Sequence, residues 1–464
     1  GAASGAAAPA SNANQADATS EAASKDAVPK DGKPKAAFAA ELTDNAQAPR
    51  FQVKSRYPLL ASAMAHTASS FSASGERLDT SVVFLGGGGG ASKTGVPNAL
   101  MVLSLSTEAG LKMLAEHRTG SSAITALSLD VAARNLACIL GAEVVTFSNI
   151  RDAARPGQLP PPRIVLAAPA DNVKPDSKPP PQPYAICLSA TGDKVAVGLD
   201  DGTVMLFALQ RAENAAEVNG DAELKGEREW RQIWSQTKHR KEIKDLVFSP
   251  DEATLCSIAP DGQCLLWPIS AEGETRGDPV ALAQPNFWLH NLLHPPPKRR
   301  GKRVPPSTQW RCLRFASAGR ADSPLYAAIN HTGGPGWVAK CSIGAAPPAV
   351  SAYARASRSP VTALDVSSDG ALVAAGTAEG ELVLMQARTL QRLVQLNPHE
   401  LFVTSLLVSG SEANGFTVLT CSGDNSCHAT PVPKYVLQFK FPAELILAVA
   451  AAVVAVLLGL LLLL

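Results

Sequence analysis

A run of five glycines is the part of this sequence whose residue types most resemble a chemical site. The segment FLGGGGGASKTGVPN covers Phe84 to Asn98 and places Lys93 and Thr94 soon after the glycines. A phosphate-binding loop has a glycine, four free positions and then Gly-Lys-Ser/Thr, and it opens a helix whose N-terminus holds the anion. Here Ser92 stands where the last glycine is needed, and Pro97 leads into a strand-like run. The pattern argues against a phosphate site and predicts a glycine-rich hairpin between two strands.

The remaining reactive side chains do not form a catalytic pattern. The sequence contains no Gly-x-Ser-x-Gly elbow and no His-Glu-x-x-His helix. Four carboxylates recur in strands or turns at the spacing of a repeat, which predicts hydrogen bonds that stabilise the repeats; they are Asp130, Asp193, Asp245 and Asp365. The sequence therefore predicts a binding protein rather than an enzyme.

Cysteine usage and net charge narrow the class further. The eight cysteines are scattered singly, without a Cys-x-x-Cys pair, and most lie in apolar runs. This is typical of buried free thiols in a reducing compartment, and it argues against zinc. Lys and Arg number 42 against 41 Asp and Glu, so the net charge gives no reason to expect nucleic acid as a partner.

The two ends of the chain differ in composition. Residues 1–50 carry almost no large apolar side chain, and we expect them to be disordered. Residues 445–464 are uncharged, and as a helix they would span about 30 Å, which matches the hydrocarbon core of a bilayer. A buried core helix of that length would have a polar face. Because Lys434 and Lys440 precede this segment, the positive-inside rule predicts a single-pass helix with the body of the protein in the cytosol.

Between these ends, residues 51–440 are organised by repetition. Units of strand, turn, strand, turn and strand recur, for example YAICLSATGDKVAVGLDDGTVMLFAL from Tyr184 and VTALDVSSDGALVAAGTAEGELVLMQA from Val361. Most later units begin roughly 40 to 70 residues apart, near the spacing of WD-type repeats with loop insertions. About seven units can be counted. The sequence predicts an all-β fold, a seven-bladed WD-type β-propeller, followed by the transmembrane helix.

Several single residues fit this repeat. We expect His117, His239 and His399 to lie just before the first strand of a unit and to bond within a blade, as the repeat's structural histidine does. Trp267 occupies the position of the closing tryptophan. The pairs Asp201-Gly202, Asp261-Gly262 and Asp369-Gly370 predict tight hairpin turns.

Three segments depart from the repeat. Those from about Arg151 to Pro183 and from Ala212 to Glu229 are predicted to be solvated loops. The third, HPPPKRRGKRVPP at residues 294–306, is strongly basic. The segment could contact anionic lipid, serve as a nuclear localisation signal, or be an exposed loop without a dedicated partner. Because isolated basic runs are common, the last interpretation is favoured.

The glycine segment also carries a family resemblance. GGGGGASKTGVPN within the first blade of a seven-bladed propeller, ahead of a C-terminal anchor, resembles the exchange factors for the Sar-type small GTPase on the endoplasmic reticulum (ER) membrane, the prolactin regulatory element-binding protein family. HELFVTSLLV and SGDNSCHAT, before the anchor, are also similar to that family. The resemblance covers about residues 51–464, and we expect the chain to depart from the family in its loops and in having no lumenal tail.

The resemblance implies a role for the glycine segment. In the family this loop projects from the propeller, is organised around a potassium ion held largely by oxygens, and contacts the GTPase. By position, Gly86, Gly87, Gly88, Gly89 and Gly90 would shape the loop, and Gly87 to Gly90 would offer backbone carbonyls to potassium. Lys93 lies in the loop, and Thr94, Gly95, Val96 and Pro97 would form its tip. Asn98 would act directly on the GTPase.

The resemblance also implies the function. The chain would load a Sar-type GTPase with GTP at the ER membrane, starting COPII coat assembly and ER-to-Golgi transport, without catalytic chemistry of its own. A non-exchanging ER scaffold that assists the exit of particular membrane proteins is the alternative, and the intact glycine segment favours exchange. DNA binding has only the basic loop in its favour.

Overall fold

The computed structural model describes the part of the chain between Gln52 and Val436 with gaps. The described ranges are 52–66, 70–71, 77–78, 81–90, 95–106, 110–168, 179–211, 228–285, 287, 298–299, 302–303, 307–316, 323–331, 334–345, 347–433 and 436. The predictions for residues 1–50 and 445–464 lie outside these ranges. Within them, no helix has the length and apolar character needed to cross a membrane.

The strands assemble into seven four-stranded antiparallel sheets, which are the blades of a β-propeller. After β1 (Gln52–Lys54), blade 1 comprises β2 (Leu59–His66), a small hairpin of β3 (Ser70–Phe71) and β4 (Arg77–Leu78), and then β5 (Ser81–Gly87), β6 (Ala99–Ser106) and β7 (Gly110–Arg118). Blade 2 comprises β8 (Ile124–Leu129), β9 (Asn135–Leu140), β10 (Glu143–Ser148), a 3-10 helix at Ile150–Ala154 and β11 (Pro162–Leu166). Blade 3 comprises β12 (Pro183–Leu188), β13 (Lys194–Leu199), β14 (Thr203–Arg211) and β15 (Arg228–Thr237).

The second half of the chain repeats this plan. Blade 4 comprises β16 (Asp245–Phe248), β17 (Thr254–Ile258), β18 (Cys264–Pro268) and β19 (Val280–Ala281), followed by a hairpin of β20 (Lys298–Arg299) and β21 (Lys302–Arg303). Blade 5 comprises β22 (Thr308–Phe315), β23 (Leu325–His331), β24 (Gly336–Ser342) and β25 (Ala349–Ser357). Blade 6 comprises β26 (Val361–Val366), β27 (Leu372–Thr377), β28 (Leu382–Gln386) and β29 (Arg392–Leu396). Blade 7 comprises β30 (Val403–Ser411), β31 (Gly415–Ser422), β32 (Ser426–Val432) and, as its fourth strand, β1.

The ring is closed by strands from the two ends of the propeller. The first strand of each blade contacts the first strands of both neighbouring blades, so these strands form the innermost layer. In blade 7 the outermost strand is β1, which pairs antiparallel with β32 in the register Val53 to Cys427. The last blade is therefore completed by the first described residues of the chain.

Apolar side chains pack between blades rather than within one sheet. One cluster joins Phe84 and Leu100 of blade 1 to Leu136 and Val145 of blade 2, all of them buried. The short apolar runs of the sequence are explained by this arrangement, because inner strands are covered on both faces. The predicted seven-bladed, all-β fold is confirmed.

The predicted loop between Arg151 and Pro183 was wrong in part. It contains most of the 3-10 helix and also β11, which pairs with β10. The guanidinium of Arg151 donates to the carbonyl oxygens of Ala132, at 2.9 Å, and of Ala133, at 3.3 Å, which fixes the helix against the neighbouring turn. Every blade has a fourth strand that the three-strand sequence units lacked.

The meander gives the propeller two distinct faces. Because strands alternate in direction, the loop that leads into each first strand lies on the same side as the turn between the second and third strands; we call this side the front face. The turn between the first and second strands and the connection after the third strand lie on the opposite side, the back face. The glycine segment, between β5 and β6, is on the front face, whereas β32 ends on the back face.

Candidate functional site

The predicted structural histidine is clearest in blade 4. His239 Nε2 lies 2.8 Å from Ser257 Oγ, which also accepts a hydrogen bond from Trp267 Nε1 at 2.8 Å. His239 Nδ1 lies 3.2 Å from a carboxylate oxygen of Asp261 in the β17–β18 turn. Burial lowers the pKa of His239, and the Asp261 charge only partly opposes this effect. The roles predicted for His239 and Trp267 are confirmed.

The other two histidines differ from each other. His399 repeats the blade 4 arrangement, with Nδ1 3.1 Å from Asp424 and Nε2 2.8 Å from Thr420 Oγ1. His117 instead lies within β7, and its Nε2 is 2.7 Å from the carbonyl oxygen of Ala153, across the boundary between blades 1 and 2. The prediction for His117 was wrong because the β9–β10 turn is Gly141-Ala142, which offers no carboxylate.

The recurring carboxylates hold backbone and side-chain donors in place. Asp130 accepts the amide N–H of Arg134 at 2.7 Å within its own turn. Between blades, Asp245 accepts the N–H of Leu313 at 2.8 Å. The predicted structural role is met for all four, with the remaining bonds made by Asp193 to Ser189 and Lys194 and by Asp365 to Val408.

The glycine run divides between sheet and loop. Gly86 and Gly87 are the last residues of β5, opposite Leu100 and Ala99 of β6. Gly88 and Gly90 have φ angles of 144° and 73°, which L side chains rarely adopt. Pro97 leads into strand β6 and not into a helix, which agrees with the rejection of a phosphate loop.

The base of the glycine loop is held by Asn98. Its Oδ1 accepts the N–H of Gly90 at 2.9 Å, and its Nδ2 donates to the carbonyl oxygens of Gly90 at 3.1 Å and of Gly120 at 3.0 Å. Its own carbonyl accepts the N–H of Thr119 at 3.0 Å. The side chain of Asn98 is only 4% exposed. This amide clamps the two ends of the loop together and ties them to the loop that leads into blade 2.

Gly88 is required by that clamp. A Cβ atom added at Gly88 would lie 2.7 Å from the Cα of Asn98 and closer still to its side-chain oxygen. The N–H of Gly88 donates to the carbonyl oxygen of Pro58 at 3.2 Å, in the loop that leads into β2. The loop is thus fixed at its base on two sides.

The tip of the loop is built differently from its base. Gly95 has a φ of 72°, and an added Cβ there, as at Gly90, would meet none of the described residues within 4 Å. Val96 is half-buried and packs against the core between blades 7 and 1. Lys93 and Thr94 lie outside the described residues. The contact predicted between this loop and a GTPase, and direct action by Asn98, stay predictions.

The described part of the loop fits a monovalent cation in its donor chemistry. The carbonyl oxygens of Gly88, Gly89 and Gly90 leave the β5–β6 ladder, and one lone pair of the Gly90 oxygen is used by Asn98. A carbonyl has a second lone pair, and rings of carbonyls suit potassium. Among the described residues, no cluster of His, Cys, Asp and Glu could hold a metal ion.

Only four residues of the basic segment 294–306 are described, and the roles predicted for it stay predictions. Lys298–Arg299 and Lys302–Arg303 pair as the β20–β21 hairpin, between β19 and β22 and therefore on the front face. Seven of the eight cysteines are buried and Cys187 is half-buried, and all eight are free. Burial raises the pKa of Cys138 and of Cys341 to about 12, so these thiols are unreactive.

Comparisons with known proteins do not assign a family. No protein-family model matches the chain, and no curated protein matches it.

Proposed function

We propose that this chain is a guanine nucleotide exchange factor that acts on a Sar-type small GTPase at the ER membrane. The observation that carries the proposal is the glycine loop on the front face, whose base is fixed by the buried amide of Asn98. A propeller more often binds than catalyses, so its departures from the repeat are where function is sought. The glycine loop is the departure that the family resemblance explains.

A fixed base that carries glycines at positive φ angles suits a loop that must contact a partner. The base is bonded to the loops that lead into β2 and into β8, so the position of the loop is set before binding. Gly90, at the clamped end, and Gly95, towards the tip, have positive φ angles, and a Cβ added at either would meet no described residue within 4 Å. Fixing the base lowers the ordering cost of binding, and the glycines let the tip follow the partner's surface.

Exchange by such a loop needs no acid or base. A GTPase holds its nucleotide through backbone N–H groups, a lysine and Mg²⁺. A factor that binds the nucleotide-free form more tightly than the GDP form drives GDP out, because the two affinities are linked. The loop has only to displace the switch segments that complete the nucleotide site.

Potassium would act on the loop and not on the nucleotide. Of the predicted ligands Gly87 to Gly90, Gly87 lies in β5, and the carbonyl oxygens of Gly88 to Gly90 beyond it would hold the ion and restrict the loop. Asn98 would hold the Gly90 peptide at the edge of that site. Residues 445–464 would keep the propeller at the ER membrane, so that GTP loading and COPII coat assembly begin there.

The experiment is release of a fluorescent GDP analogue from a Sar-type GTPase, with the full chain in detergent micelles. We expect release to be faster by a factor of ten or more than the unassisted rate. Binding of the nucleotide-free GTPase without acceleration would instead identify a scaffold. If the chain neither binds the GTPase nor accelerates GDP release, the proposal is wrong.

A further inference from the structure

Two large apolar side chains are exposed on the front face of blade 7. Leu401 and Phe402 are 49% and 48% exposed, and they are adjacent in the loop that leads into β30. Exposure of Leu401 and Phe402 gives up stabilisation that their full burial would provide. Adjacent exposed apolar side chains, unlike single scattered ones, contribute to a contiguous apolar patch, the kind of surface found at interaction sites.

The backbone that carries the pair is fixed. The hydroxyl of Ser422 donates to the carbonyl oxygens of Leu401, at 3.2 Å, and of Phe402, at 2.9 Å. Just before them, the N–H of Glu400 donates to Asp424 at 3.2 Å, and His399 bonds the same carboxylate. The two apolar side chains are therefore presented by a rigid loop, which lowers the entropy lost when a partner binds.

The ring of Phe402 also packs against a glycine of the neighbouring turn. It lies over Gly423 in the β31–β32 turn, and a Cβ atom added there would be 3.1 Å from the ring. The glycine leaves room for the ring to lie against the backbone. The far end of the Phe402 ring is packed in this way, and the residue is still 48% exposed.

Blade 4 provides an internal comparison. Its loop His239-Arg240-Lys241-Glu242-Ile243 aligns with His399-Glu400-Leu401-Phe402-Val403, because both histidines bond the aspartate of the following turn. At the equivalent turn positions blade 4 has Ala259 and Pro260 where blade 7 has Ser422 and Gly423. In blade 4 the same loop and turn thus contain two charged residues, Lys241 and Glu242, and Ala259 in place of the Ser422 hydroxyl. The His–Asp arrangement of a blade therefore forms in blade 4 without a Leu-Phe pair, a serine or a glycine at these positions.

The pair belongs to the same face as the glycine loop, in the adjacent blade. The β31–β32 turn bonds the loop before β2 through Ser55 N–H and the Asn425 carbonyl, at 2.7 Å, and that loop bonds Gly88 through the Pro58 carbonyl. Bonded backbone therefore runs from the turn under Phe402 to the base of the glycine loop. The chain leaves β32 on the back face, opposite this patch.

We infer that Leu401 and Phe402 form a second contact for the small GTPase that the glycine loop engages, and that they bind an apolar patch on it. This inference rests on the proposed function. The pair would supply affinity for the nucleotide-free GTPase, as apolar anchors in rigid surroundings do at protein interfaces. The glycine loop would supply the displacement of the nucleotide.

The test transfers the blade 4 residues into blade 7. The variant Leu401→Lys with Phe402→Glu, in the full chain in detergent micelles, should lower affinity for the nucleotide-free GTPase at least tenfold and slow GDP release at subsaturating concentration. Ser422→Ala keeps both side chains and should weaken binding about two- to fivefold through a faster dissociation rate. The matched control, Lys241→Ala with Glu242→Ala in blade 4, should leave both measurements unchanged. Circular dichroism and thermal unfolding check the fold of each variant.

Each outcome bears on a different claim. If the wild-type chain neither binds the GTPase nor accelerates its release of GDP, the proposed function is wrong. If the wild type binds and the Leu401→Lys, Phe402→Glu variant binds equally well, only the second contact is wrong. A change in self-association of that variant by sedimentation, at unchanged GTPase affinity, would assign the patch to a second copy of this chain and overturn the inference.

Discussion

At the scale of single residues, Asn98 shows how a buried side chain can govern an exposed loop. Its amide is bonded at both ends, to Gly90 twice and to Gly120 once, and it has little surface to offer a partner. An effect of Asn98 on exchange would therefore be transmitted through the shape of the loop. Resemblance places Asn98 in the loop, but sequence alone does not show that it clamps the base.

Asn98→Ala should slow GDP release at least tenfold, a change in the activation barrier of about 1.4 kcal/mol, with the propeller still folded. The reason is loss of the three bonds that close the loop. The matched control is Asn330→Ala, because the Asn330 amide makes a similar two-way clamp on Val361, at 2.7 and 2.8 Å, far from the loop. Stopped-flow measurement of GDP release with the two variants would distinguish an effect of the loop from an effect of stability. An equal loss in both would mean that exchange follows stability and not the loop.

Acid sensitivity is expected from His428. Burial, followed by the neighbouring His399, lowers the pKa of His428 to about 4, against an ordinary value near 6.5. Below pH 6.5 the unfolded chain binds a proton that the folded chain does not, so the stability that His428 contributes is full above pH 6.5 and is lost as the pH falls toward 4.

The measurement is urea unfolding of the wild type and His428→Gln between pH 7.5 and 4.5. The free energy of unfolding should fall less steeply with acid in the variant, while both curves run parallel above pH 7. Identical slopes below pH 6.5 would show that His428 does not titrate differently on folding.

At the scale of elements, the periodicity of the sequence predicted the inner three strands of most blades. It did not predict the fourth, outermost strands. Inner strands are covered on both faces and read as apolar runs, whereas β15, with the sequence REWRQIWSQT, is an outer strand with a mixed pattern. Its identity depends on pairing with β14, which is set by tertiary structure. The glycine hairpin was predicted because glycine and proline punctuate strands locally.

The glycine loop as an element should respond to the cation present. If the carbonyl oxygens of Gly88 to Gly90 hold potassium, replacing potassium by lithium should slow exchange while the unfolding transition of the propeller barely moves. Oxygen sites select ions by cavity size and number of ligands. In Asn98→Ala the difference between the two salts should shrink, because the loop is already released. Equal wild-type rates in both salts would exclude an ion-organised loop.

At the scale of the whole molecule, the glycine loop lies on the front face of the ring, and the last described strand, β32, ends on the back face. The ring is self-contained between β1 and β32, and its packing clusters cross each blade boundary. We therefore expect removal of residues 445–464 to leave a folded, soluble propeller that no longer pellets with ER membranes. Sedimentation of the truncated chain with microsomes, beside the full chain, measures this. Tight attachment of the truncated chain would mean that another segment is the anchor.

The closure of blade 7 by β1 also has a consequence for how the protein is made. Residues Gln52–Lys54 leave the ribosome before any other described strand, yet their partner β32 is the last of those strands to be synthesised. Joining them closes a loop of several hundred residues, at an entropic cost on the order of 5 kcal/mol. Until then β1 has no partner, the edge of β31 is unpaired, and the apolar face of blade 1 that packs against blade 7 is uncovered. An unpaired strand edge invites pairing with other chains. Nascent chains stalled before β32 should therefore bind chaperones, and release from them should coincide with emergence of the final strand.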